Sequence, residues 1–237
     1  MGYLVGVLGG LGPQATVYFL QSVIDMTEAK TDQEHVNLIV TQHSSTPDRT
    51  AAILHGAPSP AHIMAADARN LQQAGADFLV IPCNTATPFL QAVIDAVDIE
   101  VVNIVTETVK EIRRLNPTGV KHVGVMATEG TICSGIYQEA LDSAGYVPVI
   151  PTQQVQTRIS SIIFDYVKAG IHVPPKIFFE VINQMRQAGA DAVVCGCTEL
   201  SVAYKDLHIT DPTIVDSLAS LARLTVIKAG KHLRKGL

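Results

Sequence analysis

Short apolar runs rich in β-branched residues alternate with longer stretches of helical pattern, the rhythm of βαβ units around a parallel sheet. The runs predict strands at Tyr3–Leu8, Val36–Thr41, Asp77–Pro82 and Glu100–Asn103. A second set follows at His122–Met126, Tyr146–Ile150, Asp191–Gly196 and, with a weaker pattern, Pro212–Val215. Between them, Gly12-Pro13 opens a helix with proline at the first helical position, where its missing N–H costs nothing. Helices over 60–74 and 175–188 are each followed by a glycine suited to the helix C-terminus. A last helix is expected over 216–231. Near-continuous apolar strands such as FLVIP imply burial on both faces.

The pattern occurs twice. Residues 73–85 read QAGADFLVIPCNT and residues 187–199 read QAGADAVVCGCTE, so Cys83 and Cys197 fall at matching positions. A second echo pairs YLVGVLGG (3–10) with HVGVMATEG (122–130). The expectation is an α/β fold of two similar Rossmann-like lobes, each a mainly parallel sheet flanked by helices, related by a pseudo-twofold duplication. Residues 1–104 with the C-terminal helix, about 216–237, would form one lobe, and 105–215 the other.

Composition narrows the function classes. With 47% apolar and 16% charged residues, the chain of 237 residues suits a compact globule with a large core. A net charge of −5 with scattered signs offers no basic stripe for nucleic acid. No apolar run approaches the ~18 residues of a membrane span, and MGYLVGVLGG does not read as a secretory signal. Four cysteines do not read as a disulfide framework, so a reducing cytoplasm is expected. Only the last residues, KHLRKGL, read as a disordered tail.

Ligands of open parallel sheets bind beyond the carboxyl ends of the strands. The loops there read LGGLGP (8–13), HSSTPDRT (43–50), CNTAT (83–87), ATEGT (127–131), PTQQVQ (151–156) and GCTELS (196–201). Cys83 and Cys197 each end a strand where a helix can begin, and oriented N–H groups there favour a thiolate. Matched thiols on opposite sides of one small molecule suit removal of a proton from one face and its return to the other. Buried, inert cysteines are the plain alternative. Cys195-Gly196-Cys197 invites a zinc reading, but it lacks the partner pair such sites use. LGGLGP lacks the phosphate-loop signatures. Arg49 could fork onto a carboxylate or pair with Asp48. Lys168 could serve a helix end, His43 reads as structural, and Cys133 reads as filler on a helix.

GVLGGLGPQAT, TPDRT, PCNTA, ATEGT and GCTEL, in this order and spacing, resemble the aspartate/glutamate racemase family, its aspartate racemase branch above all. The resemblance spans nearly the whole chain. It implies cofactor-independent, metal-free interconversion of L- and D-aspartate, with glutamate as a second candidate, in a homodimer. By the same resemblance Cys83 and Cys197 are the acid/base thiols. Asn84, Thr85, Thr128 and Thr198 would hold the amino-acid head, and Arg49 and Lys168 the side-chain carboxylate. The chain departs from glutamate racemases, which carry an Asp-Ser-Gly opening where Leu8-Gly9-Gly10 stands here. An isomerase or decarboxylase of a small diacid and a non-catalytic dicarboxylate-binding protein remain as alternatives.

Overall fold

A computed structural model describes residues 2–116 and 118–234. Eight strands form in chain order: β1 (Leu4–Gly9), β2 (Asn37–Gln42), β3 (Phe78–Val80), β4 (Glu100–Val102), β5 (His122–Met126), β6 (Val147–Val149), β7 (Ala192–Cys195) and β8 (Ile214–Asp216). The helices are α1 (Pro13–Met26), α2 (Arg49–His55), α3 (Ala61–Gln73), α4 (Leu90–Ile94), α5 (Ile104–Leu115), α6 (Glu129–Ser134), α7 (Ile136–Ser143), α8 (Gln153–Ser161), α9 (Pro175–Gln187), α10 (Thr198–Asp206) and α11 (Ser217–Lys228). The strands make two parallel four-stranded sheets of the same topology, β2-β1-β3-β4 and β6-β5-β7-β8.

The repeated QAGAD segment has a structural explanation. Gly75 and Gly189 adopt φ values of 95° and 99° just past α3 and α9, a conformation that ends a helix without Cβ strain. The aspartate that follows pins the first strand of its sheet. Asp77 accepts from the Leu4 N–H at 2.7 Å, and Asp191 from those of Lys121 and His122 at 2.9 and 2.8 Å. Gly6 and Gly124 lie beneath these turns. A Cβ on Gly6 would press on Leu79, Ala76 and Leu71, and one on Gly124 on Ala190, Met185 and Val193. These are the same three places in each repeat, so duplication extends to packing.

Alternate residues of the central strands face different cores. Val5, Val7, Phe78, Val80, Val123, Val125 and Val194 point into a core shared by both sheets, filled by α1, α5 and α11. Leu79 and Ile81 point instead into a core under α3 and α4, and Val193 and Cys195 into one under α8, α9 and α10. Helix α11 packs on α1 and α5, and α5 also touches α7. The two sheets are thus joined by a layer of helices, which fixes the strand ends of one relative to those of the other.

Two local differences from the sequence pattern have simple causes. Strand β3 covers only part of 77–82, because the Asp77 carboxylate turns to β1 and Pro82 has no N–H to extend the ladder. The tail is ordered further than expected. His232 and Arg234 hydrogen-bond the backbone of Glu28 and Met26, and Leu233 bridges Thr27. Residues 235–237 of the expected disordered segment lie outside the described residues.

Candidate active site

The loops at the carboxyl ends of both sheets converge on one narrow cleft. All eight side chains expected there line it: Arg49, Cys83, Asn84, Thr85, Thr128, Lys168, Cys197 and Thr198. Leu11, Asp48, Thr50, Phe164 and Glu199 complete the wall.

The two thiols occupy equivalent positions. Cys83 precedes a tight helical turn over Asn84–Phe89 and Cys197 precedes α10, both in extended backbone. Both are buried and free, as is Cys195, whereas Cys133 on α6 is exposed. Cys195 does not join Cys197: it packs in the core beside Asp216, while Cys197 faces the cleft. No cluster of three or more His, Cys, Asp or Glu able to hold a metal ion occurs among the described residues.

Each polar side chain has a definite hold. Arg49 does not pair with Asp48, which instead caps α2 by accepting from the Ala51 N–H at 2.6 Å. The guanidinium is clamped by backbone carbonyls, donating to Thr46 at 3.2 Å, Pro47 at 3.0 Å and Leu11 at 2.8 Å, while its buried Nε lacks a partner among the described residues. Thr85 and Thr128 form a buried hydroxyl triangle with Thr131, each edge 3.0 Å. Asn84 is anchored behind the cleft: its amide donates to Ser217 at 2.9 Å and its carbonyl accepts from Tyr137 at 2.7 Å. His43 bonds Asp67 at 3.0 Å and does not line the cleft.

Lys168 sits at the end of a π-type turn over Ile162–Val167 that also presents Phe164, whose ring lies 5.7 Å from the ammonium. Its charge is already matched, because Glu199 lies 2.8 Å away. The other Glu199 oxygen accepts from the Cys197 thiol at 3.0 Å and from Thr198 at 3.3 Å. Glu199 therefore links the cation of the cleft to one of its thiols. Gly12 of the LGGLGP loop lies against this pair, and a Cβ there would stand 3.4 Å from the Glu199 carboxylate. The sequence pattern did not single out Glu199 or Thr131, although both stand in quoted motifs, GCTEL and ATEGT. The signals were an acid directly after a candidate thiol motif and a second threonine one helical turn past the first.

The electrostatics separate the two thiols. Burial pushes the Cys83 thiol above its ordinary value, while the nearby Arg49 charge pulls it back. Burial pushes Cys197 much further, and the Glu199 charge adds to the rise. For Glu199 burial opposes ionisation, but Lys168 and the Cys197 hydrogen bond outweigh it and hold the carboxyl below its usual range. The ground state thus keeps Cys197 as a thiol donating to a carboxylate, and Cys83 is the easier of the two to ionise. A raised thiol pKa leaves less thiolate at neutral pH and more as pH climbs. For a reaction that needs Cys83 as thiolate, kcat/KM should rise about tenfold per pH unit from about pH 6.5 to 8.5. Initial rates across that range check it, and a flat profile contradicts it.

Residues 8–225 match the family model described as Asp/Glu/Hydantoin racemase. The chain belongs to that family. Among the racemases it is similar to is the broad specificity amino-acid racemase RacX of Bacillus subtilis (strain 168), 29% identical over 94% of this chain and 96% of that one. The solved Picrophilus torridus aspartate racemase superposes with a TM-score of 0.83 at 30% identity, covering 99% of this chain and 97% of the other. An aspartate racemase homologue from Pyrococcus horikoshii OT3 shares the fold, with a TM-score of 0.77 at 23% identity over 98% of this chain and all of that one. The expected fold class and the racemase assignment agree with these findings. No helix among the described residues is long and apolar enough to cross a membrane.

Proposed function

We propose that this racemase interconverts L- and D-aspartate, with glutamate as second substrate, by a two-base reaction between Cys83 and Cys197. The observation that carries the reading is the pair of thiols from duplicated strand ends lining one cleft, in different electrostatic settings. In one direction the Cys83 thiolate takes the Cα proton and becomes a thiol. The Cys197 thiol gives its proton to the opposite face and becomes a thiolate. Protons balance, and the reverse direction exchanges the roles.

Removing a Cα proton leaves charge that spreads into the α-carboxylate, and preorganised donors in a dry cleft offset that cost. In this reading Thr85, Thr128 and Thr198, with Asn84 beside them, hold the amino-acid head. Opening the threonine triangle frees hydroxyl protons for a carboxylate. Arg49 and Lys168 hold the side-chain carboxylate. Arg49, which pairs with no carboxylate among the described residues, brings its full charge to it, while Lys168 must be shared with Glu199. The chemistry as written uses no cofactor. The same reading has a homodimer working in a reducing cytoplasm, where the thiols stay free, and gel filtration tests the dimer.

The direct test is chiral chromatography of L-aspartate or L-glutamate incubated with the purified protein under reducing conditions. Formation of the D-isomer to an equal mixture is expected. Turnover of malonates or maleate with no D-amino acid formed would instead support the diacid enzyme, for which Arg49 and Lys168 would serve equally well.

A further inference from the structure

Behind the cleft, β8 ends at Asp216 and α11 begins at Ser217, and this dipeptide touches both thiol-bearing segments. Ser217 accepts from the amide of Asn84, the residue after Cys83, at 2.9 Å. Asp216 accepts from the hydroxyl of Ser201, whose own N–H bonds the Cys197 carbonyl at 3.2 Å in the first turn of α10. Tyr137 braces the same place, donating to Asn84 and packing its ring so closely on Gly196 that a Cβ there would lie 2.8 Å from it.

Capping α11 does not explain the carboxylate. At the equivalent position of the first sheet, after β4, neutral Asn103 caps α5 by accepting from Val105 and Thr106. Asp216 makes the matching bonds to Leu218 and Ala219, at 3.3 and 3.1 Å, and adds the one to Ser201. It is 4% exposed and, among the described residues, pairs with no cation. Burial pushes its carboxyl up to about 6. A lone buried carboxylate is destabilising, so a chain that needed only the cap would do better with asparagine.

We propose that Asp216 and Ser217 are positioning residues that tie the Cys83 turn to the Cys197 helix, setting both thiols from one rigid corner. This rests on the two-thiol reading of the cleft. Ser217 acts on the Cys83 side and Asp216 on the Cys197 side, so their loss has separable consequences.

The test is iodoacetamide alkylation of the full-length chain, resolved by peptide mass spectrometry for each cysteine, with kcat and KM for aspartate measured alongside. Ser217→Ala should raise the alkylation rate of Cys83 about tenfold and leave Cys197 within about twofold, and Asp216→Ala should do the reverse. Asp216→Asn, whose single oxygen must serve both the cap and Ser201, should bring Cys197 only part of the way back to the wild-type rate. Where wild type turns over aspartate, each alanine variant should lose about 10–100-fold in kcat with KM little changed, as misplaced reacting groups do. Thermal unfolding followed by circular dichroism reports general loosening, and each variant should keep a cooperative transition. Unchanged rates at both thiols would overturn the proposal, as would equal gains at both thiols in either alanine variant. A wild-type protein that leaves aspartate and glutamate untouched would sink the acidic-substrate reading, while the alkylation rates would still decide the positioning role.

Discussion

Replacing either Cys83 or Cys197 by alanine is expected to lower aspartate racemisation by at least about 10³-fold, with the fold retained. General acid–base groups each contribute about 10²–10⁴-fold, and here one removes the proton that the other must replace. Neither loss can be covered by the survivor, because a single thiol lies on one face of Cα. Cys195 is buried in the core and Cys133 is exposed on α6, so neither is placed to substitute. Both thiols are small side chains at the cleft wall, and truncation to alanine costs little core packing. The check is chiral rate measurement beside circular dichroism of each variant. Near-normal turnover in either would refute the two-base scheme.

Arg49→Leu should reduce kcat/KM for aspartate by about 10²–10³-fold, since hydrogen bonds to a charged group are each worth ~1.5–3 kcal/mol. Three carbonyls hold the guanidinium in place, so little ordering remains to be done when a carboxylate arrives. Two of its five donors, the buried Nε–H and one on Nη2, have no partner among the described residues. Lys168 cannot match this, because Glu199 already neutralises it. The variant should also shift the pH profile upward, because Arg49 contributes most among the groups that draw the Cys83 thiol down, ahead of Lys168. Steady-state kinetics from about pH 6.5 to 9.5 test both effects together. A rise in KM with no change of pH dependence would leave Arg49 a substrate contact only.

Much of this architecture was legible in the chain. β5 forms over the very residues its pattern marks, and the duplicated QAGAD segments proved to be duplicated turns. All eight candidate site residues meet in one cleft, because parallel sheets put their strand ends, and so the loops after them, on one side. The missing parts are those set by distant pairings. Glu199 reads locally as an acid in the first turn of a helix, and only the fold brings Lys168 to it. Asn84 reads as a ligand-facing residue and does line the cleft, but its further tie to Ser217, 133 positions away, has no local signal. The Asp216–Ser217 corner carries no local signature beyond a helix cap.

A two-base reaction is defined by which face of Cα each proton leaves and enters. Proton NMR of L-aspartate with the protein in D₂O, read at early times alongside chiral separation, addresses this directly. Two opposed thiols predict that D-aspartate appears with deuterium at Cα while the remaining L-aspartate keeps its proton. D-aspartate that retains the original Cα proton, or deuterium entering L-aspartate with no D-isomer formed, would contradict it.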